Sequence, residues 1–122
     1  MRKFAAAGIA GLFAVALAAP VFGKSESITG QLIDLSCYAQ DKANTGNEHK
    51  GRGLICAQAC AREGFAVGIL TADGKVYQLA GGLTADSNAK LVPHMAETVT
   101  VTGDVTEKDG RMTLTANDLK TN

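Results

Sequence analysis

Two Asp-Gly pairs, Asp73-Gly74 and Asp109-Gly110, each stand between short apolar runs, and this commits much of the chain to β-hairpins. The first pair, with Ala72, separates Ala66–Thr71 from Lys75–Ala80. Before the second, Val99, Val101 and Val105 alternate with Thr98, Thr100, Thr102 and Asp104; after it, Met112, Leu114 and Ala116 keep the same period. A period of two places one face of a strand in a core and the other in water. A further strand is expected over Ile28–Ser36, with a polar leader at Lys24–Ser27 before it and Gly30 as a bulge or a point of close approach.

The remaining segments read differently. Leu54–Glu63 is rich in helix formers and is followed by Gly64, the residue best suited to a left-handed C-terminal cap. Ten residues make a marginal helix alone, so its stability must come from packing or from bonds made by its cysteines. Tyr38–Gly53 is polar and glycine-bearing and reads as a long loop, of the kind that usually has a function or is disordered. Gly81–His94 is an insert with one helical turn expected around Ala85–Leu91. The order β, helix, β, β, insert, β, β predicts a mainly β, five-stranded barrel of the OB type, with the cysteine-bearing helix after the first strand. An open α+β sheet is the alternative.

Met1-Arg2-Lys3 followed by sixteen uncharged residues, Phe4–Ala19, has the order of features of a secretory signal peptide. The run is shorter than the roughly 20 apolar residues of a membrane span. Residues 1–23 are therefore expected to be cleaved, after Gly23 or after Ala18, leaving one periplasmic or secreted domain over 24–122 with no membrane anchor. Without Arg2 and Lys3, ten of the 12 Lys+Arg face 12 Asp+Glu, a net charge of −2 that argues against a nucleic-acid partner. There is no tryptophan, and Phe22 and Phe65 are the only phenylalanines beyond Phe13, so Val, Ile, Leu and Ala must supply the core. A domain of this size gains from one covalent or metal staple.

The cysteines are Cys37, Cys56 and Cys60, and besides three unlinked thiols their odd number leaves two readings. Cys56 and Cys60 share one helical face with β-carbons about 6 Å apart, too far for a disulfide with each other while the helix is intact. Either can bridge to Cys37, a bond worth about 2–4 kcal/mol in an oxidising compartment. Alternatively all three thiolates, with His49, form a Cys3His set suited to zinc or another thiophilic transition metal. The spacing matches no standard zinc finger. Covalent haem attachment and Cys-x-x-Cys redox chemistry both lack their motifs, and no orienting residue completes a Cys-His nucleophile. No carboxylate pair or phosphate-binding glycine loop points to an enzyme. His94, after Pro93, reads as a loop or surface residue.

The run Asp34-Leu-Ser-Cys37-Tyr38, a histidine, Cys56-Ala-x-x-Cys60, Gly64, Val67–Thr71, Asp73–Tyr77 and Val99-x-Val-x-Gly103 resembles a family of small exported bacterial proteins of no established function. The resemblance covers nearly all of residues 24–122 and implies an OB-like fold with a shared cysteine-centred site. The expectation is an exported domain that binds a thiophilic metal through Cys37, His49, Cys56 and Cys60. The rival is a disulfide-stapled binding or accessory domain, without metal, that contacts a protein or sugar partner.

Overall fold

The computed structural model describes residues 24–45 and 53–122. Its strands are β1 (Lys24–Asp34), β2 (Val67–Leu70), β3 (Val76–Ala80), β4 (Thr98–Lys108), β5 (Arg111–Thr115) and β6 (Leu119–Thr121). Helices α1 (Leu35–Gln40) and α2 (Gly53–Arg62) lie between β1 and β2. The sheet runs β1-β2-β3-β5-β4, and β4 returns to pair with β1, which closes a five-stranded mixed barrel. Only the β3–β5 pair in that circuit is parallel; the other pairings are antiparallel. The closed OB-type barrel is thus the observed architecture, and the open sheet is not.

Closure depends on two long strands that each serve more than one partner. β1 pairs with β4 from Lys24 to Gln31 and with β2 from Gln31 to Asp34. Gly30 stands at that changeover, where a β-carbon would run into the Leu70 carbonyl and the Ile69 side chain. Gly103 plays the same part in β4, against the Thr115 carbonyl. Strands bend most easily where a missing side chain allows such an approach.

The two Asp-Gly turns differ. At Asp109-Gly110 both residues have positive φ, 54° and 79°, the two-residue type I′ geometry that suits the twist of β4 and β5. At the other, only Gly74 is left-handed, at φ 90°. There the Gly74 N–H donates to the Thr71 carbonyl at 3.0 Å and the Thr71 N–H to the Lys75 carbonyl at 2.9 Å, the longer loop of a type I turn with a glycine bulge.

The barrel is filled by Leu32, Ile69, Leu79, Val99, Val101 and Leu114, and Leu83, Leu91 and Met95 from the insert pack against the same cluster. Phe65, the phenylalanine among the described residues, does not join it and is 47% exposed. α2 reaches this core through Ala57 and Ala61, both almost fully buried. Its end is a Schellman motif: Phe65 N–H to Cys60 carbonyl at 3.1 Å and Gly64 N–H to Ala61 carbonyl at 2.9 Å, with Gly64 at φ 91°.

Four sequence expectations need correction. Lys24–Ser27 is not a leader but the start of β1, with the Ser27 hydroxyl bonded to that of Thr102 at 2.6 Å. The first strand stops at Asp34, so Cys37 lies in a helix and not at a strand end. The start of the expected Tyr38–Gly53 loop is therefore helical, because Asp34 caps α1. A sixth strand, β6, pairs with β4 on the edge that β5 leaves free; three residues were too short to show a period. The expected signal peptide and His49 lie outside the described residues.

The insert contains Asp86, Ser87 and Asn88 in consecutive left-handed conformations, φ 55°, 54° and 61°. Each costs roughly 1–2 kcal/mol for a residue with a side chain. The turn delivers buried Asn88 to the end of α2, where its Nδ2 donates to the Ala61 and Phe65 carbonyls at 2.8 and 2.9 Å. Asn88→Ala takes the side-chain donor from the Phe65 carbonyl, leaves the Ala61 carbonyl with the Gly64 N–H alone, and should lower unfolding free energy by about 2 kcal/mol in urea titrations. A loss under about 0.5 kcal/mol would contradict this account of the turn.

Candidate metal centre

The site begins with a carboxylate that ends a strand and starts a helix. Asp34 has extended backbone angles, and its Oδ1 accepts from the Ser36 N–H at 2.9 Å and the Ser36 hydroxyl at 2.7 Å. A side-chain acceptor at the N-cap satisfies a donor that the first helical turn cannot pair internally. α1 follows at once and carries Cys37 on its first turn. Its far end is closed on the Cys37 carbonyl, which accepts from the Asp41 N–H at 3.1 Å and from Asn44 Nδ2 at 3.0 Å.

The other two cysteines come from α2, where each immediately precedes one of the buried alanines. Cys56 and Cys60 therefore flank the stripe formed by Ala57 and Ala61 and stay half-buried. The i, i+4 spacing puts their side chains on one side of the helix. There they meet Cys37: the three Sγ atoms all lie within 4.8 Å of one another. All three are free thiols, and Cys37 Sγ is 3.9 Å from Cys56 Sγ. A disulfide needs about 2.05 Å. Two thiolates on one tetrahedral zinc, each about 2.3 Å from the ion, stand about 3.8 Å apart.

The structure thus brings together Cys37, Cys56 and Cys60, all three of the cysteines named from sequence. His94 is elsewhere, in the 3-10 turn Val92–His94, with Nδ1 3.0 Å from Glu97 Oε1. That placement agrees with its reading as a loop residue.

Asp34 is the member of the site that sequence reasoning misses, because it falls in the body of the expected Ile28–Ser36 strand. The available signal was Asp34-Leu-Ser36 directly before a cysteine, an N-cap pattern. The residue is 1% exposed. Its Oδ2 has no hydrogen-bond partner among the described residues, while its carboxylate faces the thiols of Cys60 and Cys37. Burial opposes its charge, yet the Ser36 hydroxyl, the Cys60 thiol, the Ser36 N–H and the Cys37 thiol hold it below the ordinary carboxylate value. The thiols respond in the opposite sense. Burial, reinforced by hydrogen bonding to Asp34 and by its negative charge, pushes Cys37 up to about 11 and Cys60 up to about 12.

A cleft of about 690 Å³ lies alongside and not at the cysteines. It runs between α1, at Leu35 and Tyr38, and the β4–β5 turn at Asp109, with Phe65 on its wall. Its lining includes none of the three thiols, so the cleft and the cysteine cluster are separate features that share α1.

A raised thiol pKa suppresses the thiolate, the form that reacts with alkylating agents, at any pH below it. The metal-free, reduced protein should therefore react with iodoacetamide at Cys60 roughly 30-fold more slowly than a free cysteine at pH 8, after allowing for the greater nucleophilicity of a more basic thiolate. Its rate should keep rising above pH 10, the sign expected of a raised value. Site-resolved mass spectrometry checks this, and a Cys60 rate that levels off near pH 9 contradicts it.

No protein-family model, curated protein or solved structure matches this chain.

Proposed function

We propose that this is an exported domain that binds a thiophilic transition metal ion, such as zinc, through Cys37, Cys56 and Cys60. The observation that carries the reading is the mutual approach of three sulfurs from two helices within 4.8 Å, with one pair at 3.9 Å. That spacing suits thiolates sharing one ion. Three half-buried thiols held together by weak S–H contacts would gain far less than three thiolates bonded to a common cation. The sequence offers His49 for a fourth ligand, from the chain between α1 and α2. Residues 1–23 supply the address, a cleavable signal peptide that delivers residues 24–122 to the periplasm or the exterior.

The 3.9 Å contact also favours a second reading, in which Cys37 and Cys56 oxidise to a disulfide and leave Cys60 as a free thiol. The domain is then a stapled binding module, and the 690 Å³ cleft beside α1 is the surface it offers a protein or sugar partner.

Cobalt(II) separates the two readings, since thiolate coordination gives it intense near-ultraviolet charge-transfer bands. Reduced protein comprising residues 24–122 should take up one equivalent per chain with those bands. Cys60→Ser should weaken binding by more than about 100-fold, because it removes a ligand and not merely a supporting contact. Titration with no thiolate band, or a Cys60→Ser variant that binds as tightly as the parent, contradicts the metal reading.

A further inference from the structure

The buried Asp34 carboxylate is only half explained by its place at the head of α1. Capping uses Oδ1 alone, which accepts both the Ser36 N–H and the Ser36 hydroxyl. Oδ2 is buried with no hydrogen-bond partner among the described residues. Among the described residues no Lys, Arg or His holds this carboxylate, and the ion pairs present there lie elsewhere, at Lys90–Asp118 and His94–Glu97. A buried carboxylate whose second oxygen makes no hydrogen bond of ordinary geometry, and which besides Ser36 meets only weak thiol donors and no cation among the described residues, carries an uncompensated desolvation cost. An N-cap that needed only one acceptor would be served as well by serine or asparagine. The second oxygen therefore calls for a stronger partner, and the carboxylate stands beside Cys37 and Cys60, just outside the group of three sulfurs that lie within 4.8 Å of one another.

Resting on the metal-binding reading above, we propose that Asp34 Oδ2, in place of the His49 that the sequence offers, is the fourth ligand of the ion held by Cys37, Cys56 and Cys60. The site is then a three-sulfur, one-oxygen centre in which α1 contributes one thiolate, α2 two, and the last residue of β1 the carboxylate. A cation among these groups removes the burial penalty on Oδ2 and the repulsion between the carboxylate and the thiolates in one step. The donor set also selects the ion. Three thiolates and a carboxylate bring four negative charges, and a hard oxygen among soft sulfurs suits a borderline divalent ion such as zinc or cobalt(II) better than copper(I), which thiolates alone satisfy.

Asp34→Asn tests this, because asparagine keeps the cap to Ser36 and the shape of the side chain while replacing the anionic oxygen. Asp34→Ser is the second variant, also an N-cap former but too short to reach the ion. Cobalt(II) and copper(I) affinities, with the cobalt(II) ligand-field bands, are compared for the parent, both Asp34 variants and His49→Ala. The expected result is that both Asp34 variants lose about 10- to 100-fold in cobalt(II) affinity and shift the ligand-field bands. Copper(I) binding stays within a few-fold of the parent, and His49→Ala changes neither ion. Unchanged cobalt(II) affinity and spectrum in the Asp34 variants overturn the assignment, as does a band shift confined to His49→Ala. Equal losses for both ions also overturn it, since they mean that Asp34 only positions the thiols. A parent protein that binds cobalt(II) without thiolate bands, or not at all, instead defeats the metal-binding reading on which the assignment rests.

Discussion

The cysteine cluster exists because a strand is stopped in time. β1 enters the barrel as one edge partner of β4 and leaves it as the partner of β2, and Asp34 ends that second pairing opposite Val67. Its Oδ1 then captures the N–H two residues on and turns the chain into α1. Without that bond, Leu35 to Cys37 would continue as strand, and successive side chains would point to opposite faces of the sheet. With it, Cys37 is turned toward the helix that carries the other two thiols. The Leu35 N–H is still tied to the Ala66 carbonyl at 3.0 Å, so α1 is anchored to the residue that leads into β2.

α2 is held by the complementary device. Alanines at 57 and 61 present a narrow apolar stripe, small enough for the helix backbone to approach the barrel closely. The Gly64 cap and the Asn88 amide satisfy its last carbonyls, and Gln58 Nε2 reaches the Val92 carbonyl at 3.3 Å. A helix that was marginal by length is thereby fixed in rotation, which sets where Cys56 and Cys60 point. The barrel brings Asp34 to the site at the end of β1. Its other contribution is rigidity: two helices anchored on adjoining parts of a closed sheet hold three sulfurs at a spacing that a flexible loop would not maintain.

The barrel was legible from sequence because its evidence was local. Alternating apolar residues and two Asp-Gly turns specify hairpins within a dozen residues, and a closed barrel is a natural way to remove the remaining strand edges. The cysteine helix and its Gly64 cap were legible for the same reason. α1 was not, since Leu35-Ser-Cys-Tyr-Ala-Gln40 has neither length nor period, and its helicity comes from one carboxylate and from docking. β6 was invisible because its three residues are strand only through pairing with β4. The trio of cysteines could be named from residue type, but their convergence could not, because it depends on the angle at which α1 leaves β1. Asp34 was the clearest omission, since a strand assignment hides a capping residue.

These relations place weight on one claim, that the thiols assemble to share an ion and not to form a bond with one another. Metal-edge X-ray absorption on protein recovered unreduced from the compartment where it resides, together with a count of free thiols, tests it most directly. The account predicts one transition metal ion per chain with three sulfur neighbours at about 2.3 Å and no disulfide. A Cys37–Cys56 disulfide, a single free thiol at Cys60 and no stoichiometric metal would contradict it.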